Sequence, residues 1–419
     1  MIDIALLREN PEKIKESCQK RGIEIDIETL CQFDLEKRKL QKEIDSLRHE
    51  KKLASPSKAK EIKKILKNKE EEFKKISEEF FEKLSKIPNI LLDEVPYGVD
   101  ETQNVVEEVI GKKPRFNFTP KSYLELNENL DWIDIKRAGK VSGTRFGYLK
   151  NEAVFLELAL INFAFERLTS EKFLKKIIRK NKLNLPTSPF IPVIPPVLIK
   201  PEMMQKMGYL DALSDDFYFT QKDNLVLVGT SEQSIGPMHA DETFFEKELP
   251  KRYLGFSSCF RREAGSWGKD TKGIFRVHQF DKIEMFSFCQ PEISKEEHRL
   301  FLEIQKELLK EIGLYFRVVR ICSGDIGFCA ASQFDIETWI PSENRFRETH
   351  STSNCTDFQA RRLNVRYRTK QNELRFVHTI NGTAFAIGRT IIAIMEQFQT
   401  KDGKIKIPKK LKKYYARTS

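Results

Sequence analysis

Residues 255–289, GFSSCFRREAGSWGKDTKGIFRVHQFDKIEMFSFC, contain two strand-like runs separated by a polar segment. Gly265, Gly268 and Gly273 lie in that segment, so the stretch predicts a long hairpin. Two strands joined in this way favour an antiparallel sheet over a parallel β–α–β arrangement. The sequence therefore predicts an α+β body, with an antiparallel β-sheet flanked by helices.

The hairpin gathers charged side chains on one face. Because side chains alternate along a strand, Arg261 and Glu263 are expected on one face of the first run. The same rule groups Arg276, Phe280 and Glu284 in the second run, against Val277, Ile283 and Met285. Arginine binds phosphate bidentately, an aromatic ring stacks on a base, and a carboxylate holds an ammonium group. This face could therefore bind a nucleoside triphosphate and an amino acid; the alternative is a surface sheet with salt bridges.

A second candidate segment is LVLVGTSEQS, residues 225–234. Thr230 and Glu232 share parity at the end of its apolar run and would point a hydroxyl and a carboxylate to the same side. The alternative is an ordinary helix cap, since residues of these types often begin helices.

A third segment, FRETHSTSNC at residues 346–355, offers hard oxygen ligands. Glu348 and Ser351 would suit Mg²⁺ that bridges phosphates better than zinc. His350 has no Cys or His partner at ligand spacing, so we interpret it as a residue that does not bind metal.

The fourth segment is TINGTAFAIGR at residues 379–389. The pattern predicts a strand that turns at Asn381 and Gly382 into an apolar helix. Arg389 lies within that apolar pattern, and a buried guanidinium requires an anion. The anion could be a terminal phosphate or a core carboxylate.

Residues 28–90 carry an apolar repeat of about 3.5 residues in two blocks. The first block contains Phe33, Leu40, Leu47 and Ala54 with Leu30 and Ile44, and the second contains Leu66, Phe73, Phe80 and Ile87 with Ile62 and Ile76. Pro56 lies between the blocks, so the pattern predicts an antiparallel α-helical coiled-coil hairpin. Residues 36–75 include 15 Lys or Arg and 8 Asp or Glu, a surplus that favours a nucleic-acid-binding arm over a dimerising coiled coil.

The composition limits the classes of protein that need considering. A formal net charge of +11 over 419 residues is compatible with a polyanionic partner. The seven cysteines form no CxxC pair, which indicates reduced thiols and a cytoplasmic location. Asp3, Arg8 and Glu9 interrupt the start of the chain, so we expect neither a targeting segment nor a membrane span. The GxGxxG and GxxxxGK[ST] motifs do not occur, so no Rossmann site or P-loop is indicated.

Together these segments resemble class II aminoacyl-tRNA synthetases, and specifically the seryl-tRNA synthetase family. Residues 260–284 resemble motif 2, residues 379–399 motif 3, and residues 348–362 the family's Glu-x-Ser-Ser-x-Ser-Asn-Cys segment. Pro195 and Pro196 stand where motif 1 would form a dimer interface. The resemblance covers nearly the whole chain, and implies a tRNA-binding arm over residues 1–105 and a class II catalytic domain over residues 106–419.

The resemblance implies ATP-dependent ligation of L-serine to tRNA(Ser) through a seryl-adenylate, with release of AMP and diphosphate. Arg261, Glu348 and Arg389 are the implied catalytic residues. The implied serine-binding residues are Thr230, Ser231, Glu232, Arg261, Glu284 and Thr383. The implied ATP-binding residues are Arg261, Arg262, Glu263, Arg276, Val277, Phe280, Glu348, Thr349, His350, Ser351 and Arg389. Glu348 and Ser351 would hold Mg²⁺, and no protein base is assigned to the transfer onto tRNA.

The sequence departs from the family pattern at several points. Ser231 stands where alanine is common, and His350 replaces a customary serine. Thr383 and Ala384 replace Ser-Gly or Thr-Gly, and the added methyl is expected to crowd a strand-to-helix turn beside the serine pocket. Residues 169–190 form a longer segment before motif 1 than the family pattern predicts.

The implied partners are tRNA(Ser), L-serine and a second copy of the chain in a homodimer, with tRNA(Sec) as a further substrate to test. Three alternatives stay open at this point: a class II ligase with another acceptor or amino acid, a catalytically silent tRNA-binding paralogue, and a coiled-coil nucleic-acid-binding protein. The silent paralogue predicts loss of Arg261, Glu348 or Arg389, and the sequence retains all three.

Overall fold

The computed structural model describes residues 1–210, 214–264 and 272–415, so Gly265 and Gly268 of the predicted hairpin lie outside the described residues. The chain forms two compact units, Met1–Ile90 and Leu91–Ser419. The division therefore falls after residue 90, earlier than the expected boundary at residue 105. Residues 91–105 belong to the larger unit, where the Leu92 amide donates to the Ala331 carbonyl (2.9 Å).

The smaller unit is helical, with α1 (Ile4–Glu9), α2 (Pro11–Lys20), α3 (Ile27–Leu53) and α4 (Pro56–Ser85). Helix α3 pairs with α4, and at 1.5 Å per residue it is about 40 Å long. Pro56 occupies the first turn of α4, where its missing amide hydrogen costs no helical bond. Leu40, Ile44, Ile62 and Leu66 are buried along the seam, so the predicted helical hairpin is confirmed.

The larger unit combines helices with several sheets. Its helices are α5 (Tyr123–Leu130), α6 (Ile135–Ser142), α7 (Glu152–Leu168), α8 (Glu171–Lys180), α9 (Pro201–Lys206), α10 (Glu232–Ile235), α11 (Ser294–Ile312), α12 (Phe358–Leu363) and α13 (Ile387–Gln397). Its strands are β1 (Val105–Ile110), β2 (Ile133–Asp134), β3 (Tyr148–Leu149), β4 (Ile191–Val193), β5 (Leu198–Ile199), β6 (Phe219–Thr220), β7 (Leu225–Leu227), β8 (Thr243–Phe245), β9 (Lys251–Phe260), β10 (Gln279–Cys289), β11 (Phe316–Arg320), β12 (Ser332–Ile340), β13 (Arg345–Asn354), β14 (Arg366–Arg368), β15 (Leu374–Phe376) and β16 (His378–Ala386).

The main sheet runs in the order β1-β11-β12-β13-β16-β10-β9-β4. Its neighbours are antiparallel except β4 and β9, which confirms the predicted α+β class. Helix α11 packs on β13 and β16, while α13 packs on β10 and β12. On β10, Ile283 and Met285 are fully buried in the resulting core. Among the described residues, no helix combines the length and apolar character needed to cross a bilayer.

Two details of the predicted strands are wrong. Strand β9 ends at Phe260 and β10 begins at Gln279, so Arg261, Glu263 and Arg276 follow no strand alternation. Glu263 has a left-handed backbone (φ 53°), which an extended strand would not allow. Strand β16 continues through Asn381 and beyond, and the helix begins only at residue 387.

Candidate active site

Two adjoining cavities lie over the middle of the main sheet. The first is lined by Arg261, Glu263, Ile274, Phe275, Arg276, Val277, Phe280, Lys282, Glu348, Thr349, Ser351, Thr383, Ala386, Gly388 and Arg389. The second is lined by residues that include Tyr209, Thr230, Glu232, Gln233, Arg261, Lys282, Glu284, Ser351, Ser353, Cys355, Asn381 and Thr383. Arg261, Lys282, Ser351 and Thr383 line both cavities. Cationic and hydroxyl side chains therefore lie where the cavities meet.

Arg261 is held at this junction from two sides. Its Nε donates to the Gly229 carbonyl (3.2 Å), and its guanidinium lies 5.3 Å from the centre of the Phe280 ring. Because only one of its nitrogens is used in that hydrogen bond, the guanidinium retains donors for a ligand.

The mouth of the first cavity contains a second arginine and a carboxylate. Arg276 Nη1 donates to Glu263 Oε2 (2.9 Å), so these residues meet although strand alternation does not apply to them. Val277, predicted on the opposite face, also lines this cavity. Arg262 is exposed and lines neither cavity, and its amide donates to the Asp216 carbonyl (2.8 Å).

Arg389 extends from the first turn of α13 towards β13. Its Nη1 lies 3.2 Å from Glu348 Oε2, and its Nε donates to the Phe275 carbonyl (3.3 Å). The Glu348 side chain is 49% exposed, so the partner of Arg389 is a cavity carboxylate and not a core one. Desolvation within the cavity works to raise the pKa of this half-exposed carboxyl, but the Arg389 and Arg261 guanidiniums outweigh it and the pKa of Glu348 lies below its usual value.

The second cavity is built around a buried ion pair. Lys282 Nζ lies 2.6 Å from Glu284 Oε2, and it donates to Thr230 Oγ1 (3.2 Å). The two charged side chains are 10% and 2% exposed. Burial raises the pKa of the Glu284 carboxyl to about 7, although Lys282 acts in the opposite direction.

Glu232 provides a second carboxylate at the start of α10. Its Oε1 accepts hydrogen bonds from Tyr209 Oη (2.9 Å), Gln359 Nε2 (2.9 Å) and Asn381 Nδ2 (3.2 Å). Burial raises the pKa of this carboxyl, against the lowering effect of Gln359 and Tyr209. Thr230 and Glu232 meet through a loop-to-helix turn and not through the predicted strand alternation.

Two predicted site residues turn away from the cavities. His350 is buried beside the Phe385 ring (5.8 Å between centroids), and burial lowers its pKa to about 3. Ser231, the residue that precedes α10, is buried against β9, where a Cβ on Gly255 would lie 2.8 Å from Ser231 Oγ. Because that approach is so close, only glycine fits at position 255.

Ala384 does not crowd the second cavity as expected. It is fully buried in the core and lies inside β16, two residues before the strand ends. The neighbouring Thr383 faces both cavities because side chains alternate along the strand.

Sequence reasoning missed several residues of the site. These are Tyr209, Phe275, Lys282, Gln359 and Asn381 in its role as a hydrogen-bond donor. Lys282 shares parity with Phe280 and Glu284, so the alternation rule could have found it.

The first cavity contains side chains whose oxygen atoms can bind a cation. Glu348 and Ser351 both line it, close to the Arg389 guanidinium. Within residues 1–210, 214–264 and 272–415, no group of three or more His, Cys, Asp or Glu side chains could hold a metal ion. A divalent cation would therefore have to share its coordination with a ligand.

Comparisons with known proteins agree with this fold. Residues 217–398 match the model of the tRNA synthetase class II core domain (G, H, P, S and T), and residues 1–57 match the seryl-tRNA synthetase N-terminal domain. The larger unit therefore has a class II aminoacyl-tRNA synthetase core.

The similarity extends along the chain. The serine–tRNA ligase of Acidothermus cellulolyticus is 41% identical, with 99% of this chain and 98% of the relative covered. The crystal structure of seryl-tRNA synthetase from Pyrococcus horikoshii complexed with ATP has a TM-score of 0.88 at 39% identity, covering 99% and 98%. That of the Naegleria fowleri cytoplasmic enzyme with AMP has a TM-score of 0.85 at 31% identity, covering 99% and 97%. The chain belongs to the seryl-tRNA synthetase family, as the resemblance predicted.

Proposed function

We propose that the first cavity binds ATP, that the second binds L-serine, and that the two react at Arg261. The enzyme is an ATP-using ligase that joins serine to tRNA. The main support for assigning these roles to individual residues is the position of Arg261. It lines both cavities, so its guanidinium can contact a carboxylate and a phosphate together.

In the first cavity, the base and the phosphates of ATP are assigned to different side chains. The Phe280 ring would stack on adenine, with Glu263 and the Val277 backbone at its edge. Arg276 and Arg389 would bind the outer phosphates, which guanidiniums recognise bidentately. Thr349 lines the same cavity, whereas Arg262 and His350 have no side-chain role in this proposal.

The oxygen atoms that line this cavity are of the kind that bind Mg²⁺. Glu348 and Ser351 would hold it, with the remaining positions left to phosphate oxygens and water. When bound, the ion would neutralise charge on the phosphates. Glu348 suits this role because its pKa is lowered and it stays ionised.

In the second cavity, the two buried carboxylates would recognise the ammonium and hydroxyl groups of serine. Glu284 and Glu232 face this cavity with Thr230 and Thr383. Alanine would leave these polar groups unpaired, so we expect a discrimination of roughly 10⁴-fold against it. Threonine would have to be excluded by size.

The proposed chemistry has two steps. A carboxylate oxygen of serine attacks the α-phosphorus of ATP, which forms seryl-adenylate and breaks the bond to diphosphate. A terminal ribose hydroxyl of tRNA(Ser) then attacks the seryl carbonyl and releases AMP. Arg261 and Arg389 would act by positioning and charge neutralisation, and no protein base is assigned to the second step.

The wider assignments are also part of the proposal. The basic hairpin of α3 and α4 would bind the tRNA backbone, and tRNA(Sec) is a second substrate to test. Ile194, which is 81% exposed and precedes the motif 1 prolines Pro195 and Pro196, supports a homodimer. The seven free cysteines support a cytoplasmic location.

Serine-dependent exchange of labelled diphosphate into ATP tests the proposal. We expect exchange with serine, little with threonine, alanine or glycine, and a loss of about 10³-fold in Arg261→Ala. A folded protein that binds tRNA but supports exchange with no amino acid would instead be a silent paralogue. Exchange driven best by another amino acid would indicate altered specificity.

A further inference from the structure

Helix α8 presents a cationic face that the proposed reaction does not use. It lies in the segment that is longer than the family pattern, and its sequence is EKFLKKIIRK. Its exposed basic residues, with one just beyond its end, are Lys172, Lys175, Lys176, Arg179, Lys180 and Lys182. The acidic residue of this helix, Glu171, already accepts a hydrogen bond from Thr187 Oγ1 (2.7 Å).

The opposite face of α8 anchors the helix to the body of the unit. Phe173, Leu174, Ile177 and Ile178 are buried in the main core. Burial of these side chains accounts for the folding of the helix, because hydrophobic packing is the main source of helix stability in a protein. The exposed cations lie outside this apolar anchor.

The cations fall into two groups. Lys176 and Lys180 lie 2.6 Å and 3.3 Å from the carboxylate oxygens of Glu307 on α11. The other four, Lys172, Lys175, Arg179 and Lys182, form no ion pair with any residue in the part of the chain that the structure describes.

Three of these four positive charges repel one another along the helix. Lys172, Lys175 and Arg179 are spaced at three and four residues, so like charges are neighbours. The positive N-terminal end of the helix dipole also disfavours Lys172 in the first turn, whereas the negative C-terminal end favours Arg179 in the last turn. An external anion would relieve this repulsion.

We infer that the α8 face, defined by Lys172, Lys175 and Arg179, is a second contact for the phosphate backbone of tRNA, separate from the basic hairpin. The inference rests on the proposed function, which makes tRNA the substrate. The three cations recur about once per helical turn, or every 5.4 Å, and so form a row that can follow a chain of phosphates. A bilayer is a poorer match, because membrane-surface helices insert an apolar face and that of α8 is buried.

Salt-dependent binding of a tRNA(Ser) transcript to the full chain tests the inference. The variant Lys172→Ser/Lys175→Ser/Arg179→Ser removes the face and keeps the apolar anchor. A matched control, Lys112→Ser/Lys370→Ser/Lys401→Ser, removes three scattered exposed charges. For the α8 variant we expect the slope of log affinity against log salt to fall by about 2–3, with a loss of about tenfold or more in affinity. Serine-dependent diphosphate exchange should be unchanged.

The outcomes separate the two proposals. An α8 variant with the affinity and slope of the wild type overturns the inference, as does an equal loss in the scattered control, which would show a general charge effect. Failure of the wild type to exchange diphosphate with serine bears on the proposed function, because that reaction needs no tRNA.

Discussion

Two ion pairs of nearly equal length lie in different parts of this molecule. On the helical hairpin, Arg48 Nη2 is 2.8 Å from Glu70 Oε1, and the side chains are 54% and 48% exposed. On β10, Lys282 Nζ is 2.6 Å from Glu284 Oε2, with exposures of 10% and 2%. Water screens the first pair and is excluded from the second, so the same geometry has different energetic consequences.

The difference extends to the neighbours of each pair. Hairpin lysines such as Lys58 and Lys69 pair with glutamates at the surface, 2.9 Å and 3.0 Å away. Lys282 in the cavity instead contacts two groups that are themselves buried, Glu284 and Thr230. If one charged residue of the hairpin is replaced, its former partner is still solvated. If one charged residue of the cavity is replaced, its former partner is left buried without a counter-charge.

The largest expected effect is on catalysis at the junction. Arg261→Ala should lower serine-dependent diphosphate exchange by about 10³-fold, because a preorganised charge at the reacting phosphate is lost. Exchange kinetics with the folded variant measure this. An exchange rate within tenfold of the wild-type rate would contradict the proposed role of Arg261 in the reaction.

Breaking the buried pair should have the next largest effect. Lys282→Met leaves Glu284 buried without its cation, so we expect the free energy of unfolding at pH 8 to fall by about 3 kcal/mol. The loss should shrink at pH 5, where Glu284 becomes protonated and needs no partner. Denaturant unfolding at both pH values measures it, and an equal loss at both would contradict the electrostatic cause.

The raised pKa of Glu284 predicts a pH dependence of serine use. Burial places this pKa at about 7, so the carboxylate that would meet the serine ammonium is lost as the pH falls below that value. We expect kcat/KM for serine to fall by up to about tenfold per pH unit below 7. Glu284→Gln should remove this dependence, and a flat wild-type profile between pH 5.5 and 8 would argue against it.

The smallest expected effect is on the hairpin. Arg48→Met should change the free energy of unfolding by less than about 0.5 kcal/mol, because the exposed pair with Glu70 is screened by solvent. Thermal unfolding beside Lys282→Met gives a direct comparison of the two ion pairs. If Arg48→Met lowers the free energy of unfolding as much as Lys282→Met does, solvent exposure does not determine how much each ion pair contributes to stability.

Local rules in the sequence worked where the backbone is regular. The heptad spacing predicted α3 and α4, and alternation on β10 separated Glu284 from Ile283 because both lie inside a strand. The same rule failed for Arg261 and Glu263, which lie beyond the end of β9. They line the same cavity because the chain turns there, with Glu263 in a left-handed backbone conformation, and a rule based on strand periodicity cannot predict such a turn.

The sequence by itself determined the class of fold, the helical hairpin and the family, because these depend on apolar periodicity and long motifs. Only the tertiary structure decided which polar groups meet: Tyr209, Gln359 and Asn381 converge on Glu232 from positions far apart in the chain. It also turned His350 into the core while Ser351 lines both cavities. The reason is physical, since contacts, burial and the pKa shifts they cause depend on strand register and packing between distant segments.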